Sequence, residues 1–166
     1  MRRLRFITHS PRETRELAAR LARHLAPGDV VALHGELGSG KTEFVHGLAR
    51  GLEVPDREAV ASPSFTLIHE YPGRVPLIHL DLYRLEDLPP DLLPDLEEYL
   101  ASPGVVAVEW AMRLGPLLPP DHLEVRLAIA GDHDRELTFL AHGPRSDYLL
   151  EQLAAGGVVP EPSAHP

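Results

Sequence analysis

A short apolar run, Val30 to Leu33, passes almost directly into Gly35-Glu36-Leu37-Gly38-Ser39-Gly40-Lys41-Thr42, and a helix-periodic stretch from Lys41 to Leu52 follows. The eight residues fit G-x-x-x-x-G-K-[ST], and a strand before with a helix after is the setting that pattern requires. The unalternating apolar run is the signature of a strand buried on both faces of a parallel sheet. Gly35, Gly38 and Gly40 let the backbone curl with its N–H groups turned inward, and the helix beginning near Lys41 adds the positive end of its dipole. A loop built this way is predicted to cradle nucleotide phosphates. Lys41 then reaches the outer two phosphates, and the Thr42 hydroxyl is placed to ligate Mg²⁺.

Lys41 is also the only lysine among the 16 basic Lys and Arg residues of the chain. A compact, mobile ammonium fits a tight phosphate cradle where a planar guanidinium does not, so the exception falls where the chemistry asks for it. The length of 166 residues suits one domain with its own core. The absence of cysteine excludes a disulfide scaffold and a thiolate metal site. A net charge of −9 argues against gripping nucleic acid through a basic face, so any link to RNA is expected to run through a partner. No run is apolar enough to span a bilayer, and MRRLRFITHSPRET lacks the core of a signal peptide, which leads us to expect a cytoplasmic location.

Ser10, Pro11 and Glu13 make an S-x-x-E helix start, and the helix is predicted to run to about Leu25, before Pro27 and Gly28. Leu77 to Leu80 and Val105 to Val108 repeat the character of the Val30 run and end on Asp81 and Glu109. Ligands collect at the carboxyl ends of strands in open α/β sheets, so the Gly-rich loop, Asp81 and Glu109 are predicted to share one edge. Thr66 to Tyr71 reads as a strand, Leu96 to Leu100 as a helical end of an acidic stretch, and Ser146 to Ala155 as a last helix. Leu123 to Ile129 and Glu136 to Ala141 read as a β-hairpin. The expected class is α/β: a single P-loop domain over 1–155 with a mostly parallel central sheet flanked by helices and a C-terminal β-hairpin, then a tail over 156–166.

Within that frame Asp81 and Glu109 are the candidates for the second carboxylate at the metal and for positioning the attacking water. The hydroxyls of Ser62-Pro63-Ser64-Phe65-Thr66 lie where a P-loop protein keeps a loop that senses the terminal phosphate. Trp110 follows Glu109 directly and either lines the site or anchors the core. The ten histidines show no clustered spacing such as H-E-x-x-H, and we expect most to be surface or packed residues.

Four segments in order, GELGSGKTEF at Gly35 to Phe44, SPSFTLIHEY at Ser62 to Tyr71, HLDLYRL at His79 to Leu85 and VEW at Val108 to Trp110, resemble the TsaE (formerly YjeE) family of bacterial proteins needed to make threonylcarbamoyladenosine in tRNA. The resemblance implies a Mg²⁺-dependent ATPase that works with the TsaB–TsaD transferase pair and meets tRNA only through it. It implies ATP binding by Gly35, Glu36, Leu37, Gly38, Ser39, Gly40, Lys41, Thr42 and Glu43, with Ser62 and Thr66 nearby. Thr14 on the first helix and Arg135 in the hairpin are implied near the base. Thr42 and Glu109 are implied as magnesium ligands, with Asp81 as the acid of a Walker B-like segment, so that Lys41, Asp81 and Glu109 carry catalysis. Two other readings share the loop: a small-molecule kinase, which needs an arginine-bearing lid, and a non-hydrolysing module gated by ATP.

Overall fold

The structure, a computed structural model, describes residues 2–55, 68–83, 85, 87–156 and 160–161. The elements in chain order are β1 (Arg3–Thr8), α1 (Pro11–Ala22), β2 (Val30–His34), α2 (Lys41–Gly51), β3 (Ile68–Tyr71), β4 (Leu77–Asp81), α3 (Leu93–Leu100), β5 (Val105–Glu109), β6 (Leu123–Ile129), β7 (Arg135–Ala141) and α4 (Pro144–Ala155). Short 3₁₀ segments cover Pro90–Leu92 and Ala111–Leu117. The strands form one seven-stranded sheet in the order β1-β7-β6-β2-β5-β4-β3. Its centre is parallel, with β2 between β5 and β6 and β5 beside β4. Its edges are antiparallel.

The α/β class and the placement of the central strands agree with the sequence reading, and two features go beyond it. The basic start of the chain is an edge strand, β1, paired antiparallel with β7. Its arginines hide a short strand whose Phe6 is buried and meets Phe139 edge-on at 5.5 Å. The hairpin is also no appendage, because β6 pairs in parallel with β2 and extends the main sheet.

Period-two alternation sends successive residues to opposite faces, and the chain builds a core on each. Val31, Leu33, Leu77, Val105, Ala107 and Val125 pack under α1, α2 and α4. Val30, Ala32, Ile78, Leu80, Val106 and Val108 pack with Leu96 of α3 and with Ala111 and Leu114. By the same alternation His79 and Asp81 share the face of Leu77, and Glu109 shares that of Val105 and Ala107. That face carries α2. In register Asp81 lies opposite Glu109, so both carboxylates are delivered to the edge where α2 begins.

Helix α1 starts as its sequence indicates, with the Ser10 hydroxyl accepting the Glu13 N–H at 3.1 Å. It ends at Ala22 rather than Leu25, because the last turn tightens to hydrogen bonds from His24 to Leu21 and from Leu25 to Ala22. Arg74 also donates to the carbonyls of Ala22 and Leu25, at 2.7 and 3.2 Å. Helices α1 and α2 meet through glycine: a Cβ on Gly47 would lie 2.2 Å from the Arg15 carbonyl oxygen, and one on Gly51 would lie 2.5 Å from that of Ala19. At the other end of the chain, the Glu161 N–H donates to the Arg5 carbonyl at 2.6 Å.

Candidate functional site

The loop between β2 and α2 turns on two left-handed glycines, Gly38 at φ 83° and Gly40 at φ 105°. Residues with a Cβ rarely adopt this conformation. Gly35 has a different reason: a Cβ there would lie 2.4 Å from the Ser39 hydroxyl and 2.7 Å from the Leu127 carbonyl oxygen. The loop encloses a cleft of about 890 Å³, within the range of sites that take a small-molecule ligand. Thr14, Gly35, Glu36, Leu37, Gly38, Gly40, Lys41, Thr42, Glu43, Asp81, Glu109 and Arg135, all singled out in the sequence, line it together.

Ser39 stands apart from that set: its side chain is fully buried beneath Gly35, and its N–H is bonded to the Glu36 carbonyl at 3.1 Å. Thr14 lines the cleft, but its hydroxyl is paired with that of Thr8 at 2.7 Å. Arg135 folds back on its own hairpin turn and donates to the Asp134 carbonyl at 2.8 Å. Glu43 is tied to Arg15 of α1 at 2.5 Å. Ser62 and Thr66 lie outside the described residues.

Pro11, Tyr83, Asp132 and His133 line the cleft without having been singled out, and Trp110 joins them. Asp132 and His133 sit in the β6–β7 turn, whose sequence signals only a turn; the pairing of β6 with β2 carries it to the cleft. Tyr83 and Trp110 form an aromatic wall with ring centroids 5.3 Å apart. The Arg113 guanidinium lies 4.6 Å from the Trp110 ring and donates to the Leu82 carbonyl at 2.8 Å. Trp110 is left-handed at φ 62°, an uncommon conformation for a bulky residue, and it turns the chain sharply after Glu109.

At the floor of the cleft the Lys41 ammonium donates to the Gly35 carbonyl at 2.6 Å and lies 3.6 Å from Glu109 Oε1. The other oxygen of Glu109 meets His79 Nε2 at 2.7 Å. Both Glu109 and His79 are buried. Burial pushes the Glu109 carboxyl up, but the His79 hydrogen bond and the nearby Lys41 charge outweigh it and hold Glu109 below the usual carboxylate range. Asp81 moves the opposite way. Burial and the neighbouring Glu109 charge raise it, against a Tyr83 N–H that donates to Oδ1 at 3.0 Å. Two facing carboxylates are thus driven apart in acidity, an arrangement suited to dividing charge binding from proton transfer. The carboxylates of Asp81 and Glu109 with the hydroxyl of Thr42 are hard oxygen donors, which suit Mg²⁺.

The family model described as "Threonylcarbamoyl adenosine biosynthesis protein TsaE" matches residues 8–137. The tRNA threonylcarbamoyladenosine biosynthesis protein TsaE of Bacillus subtilis is 44% identical over 155 residues, covering 93% of this chain and 96% of the relative. The protein of that name from Treponema pallidum is 37% identical over 135 residues, covering 81% of this chain and 98% of the relative. The crystal structure of YdiB from Bacillus subtilis superposes with a TM-score of 0.79 at 38% identity, covering 95% of this chain and 97% of that one. These matches take in the phosphate-type loop, both strand-end carboxylates and nearly the whole sheet, and on them this chain belongs to the TsaE family.

Proposed function

We propose that the chain binds ATP with Mg²⁺ in the cleft, hydrolyses it slowly alone, and serves threonylcarbamoyladenosine formation in tRNA through a TsaB–TsaD-like transferase pair. The observation that carries this reading is the convergence of Lys41, Asp81 and Glu109 in one cleft behind a glycine-hinged loop. The loop N–H groups and the start of α2 bind the phosphates, and Lys41 exchanges its contact with the Gly35 carbonyl for phosphate oxygens. Thr42 and Glu109 would hold Mg²⁺, which supplies neutralisation of the developing phosphate charge. His79 fixes the orientation and charge of Glu109 from the protein side. Asp81, raised in pKa and bonded to the Tyr83 N–H through one oxygen, keeps its other oxygen to orient the attacking water and take its proton. The aromatic wall of Tyr83 and Trp110 and the carbon framework of Arg135 offer the flatter surfaces that a base needs.

The acidic balance of the chain supports an indirect route to tRNA, since a protein of net charge −9 has little to neutralise phosphates with. Phosphate release from Mg²⁺-ATP, measured with and without the transferase pair, tests the reading. Release is expected to rise with the pair and to fall by roughly 10²-fold in Lys41→Ala, as when a charge-stabilising donor is removed. Undiminished release in that variant, or release indifferent to the pair, would overturn it.

A further inference from the structure

On the sheet face opposite α2, and at the end away from the cleft, three side chains converge that the cleft does not use. His122 precedes β6, Glu124 lies within it, and His142 follows β7; a nitrogen from each histidine and an oxygen of Glu124 all lie within 4.8 Å of one another. The pairing of β6 with β7 explains the convergence. Leu123 is opposite Ala141, and the His142 N–H donates to the His122 carbonyl at 3.1 Å, so the three side chains fall on one face of the hairpin's open end. The two imidazoles stack with centroids 4.4 Å apart and planes 15° from parallel.

We propose that His122, Glu124 and His142 form a second cation site, separate from the nucleotide cleft, for a Zn²⁺-class divalent ion. Two imidazoles and one carboxylate make a borderline donor set that favours zinc and its transition-metal neighbours over Mg²⁺, and three protein ligands leave a fourth position for water. The surroundings prepare the ligands. His122 Nδ1 meets the Pro119 carbonyl at 2.8 Å, which places the proton on Nδ1 and the lone pair on Nε2. Arg126 occupies Oε2 of Glu124, while Oε1 accepts a hydrogen bond from His142 Nε2 at 2.7 Å, whose proton an ion bound between the two would replace. The Glu124 side chain is only 11% exposed and that of His142 is 40% exposed, so the carboxylate is anchored and the site opens to solvent on the histidine side. Binding would clamp the open end of the β6–β7 hairpin at the entry to α4.

Cobalt(II) serves as a visible probe, titrated into the full chain with Mg²⁺-ATP present so that the cleft donors are engaged. One tightly bound equivalent per chain with tetrahedral-type absorption is expected. His122→Gln and His142→Ala should each weaken it by at least about tenfold, and Lys41→Ala should leave it unchanged. The ring nitrogens of His122 and His142 should shift on adding Zn²⁺ to the unaltered protein, a readout that does not depend on any variant folding. Absorption and stoichiometry that survive the double histidine variant, or ring nitrogens that stay in place, would overturn the site.

Discussion

Asp81 and Glu109 are adjacent strand-end acids whose surroundings drive them in opposite directions. Glu109 has a buried imidazole on one oxygen and an ammonium near the other, and its charge is settled by these partners. Asp81 faces that charge with a single backbone donor. An acid raised in the folded state binds its proton more tightly there, so its contribution to stability is present at low pH and lost as pH rises through the folded value. At neutral pH the ionised Asp81 therefore works against folding. Asp81→Asn is expected to melt at the same temperature as the parent or higher at pH 7, to bind ATP within a few-fold, and to lose hydrolysis. Calorimetry with a parallel turnover assay checks all three outcomes. A variant that melts lower at neutral pH would show that Asp81 is structural.

The cleft is held in place by how its elements meet. Helix α2 presents Gly47 and Gly51 to α1, and the two backbones come close enough that a methyl group would strike carbonyl oxygens of the partner helix. Gly47→Ala has better helix propensity by under about 1 kcal/mol, and this gain is outweighed by a forced separation of the helices costing roughly 1–3 kcal/mol. Net destabilisation in urea is expected, with weakened nucleotide binding, because α2 begins at Lys41. A neutral or stabilising outcome would mean that the helix pair yields without strain. At the far end of the sheet, Asp121 caps α4 from outside the helix, accepting the N–H groups of Arg145 and Ser146 at 2.7 and 3.1 Å. Gly143 makes room for it, since a Cβ there would lie 2.2 Å from the Asp121 side chain.

Among the described residues three carboxyls, Glu109, Asp121 and Glu124, are held below their usual range; in each, burial acts upward and hydrogen-bond or charge partners outweigh it. Such groups contribute stability above the unfolded value, about pH 4, and lose it as pH falls through the folded values. Acidification below that point is expected to lower the melting temperature steeply, and Glu124→Gln should make the fall shallower; an unchanged profile in scanning calorimetry would refute the assignment. The order of residues along the chain was enough to place the central strands, the glycine-hinged loop, its lone lysine and the two strand-end acids. Each of these follows from periodicity or from steric and donor requirements written into consecutive residues. Long-range pairing is what makes the arginine-rich start an edge strand, extends the main sheet with the hairpin, and sets His79 to secure Glu109. It also decided that Asp132 and His133 reach the cleft, that Asp121 caps α4 and that His122, Glu124 and His142 meet. Those outcomes depend on pairing between segments distant along the chain, where the local pattern is the same whether or not the partner arrives.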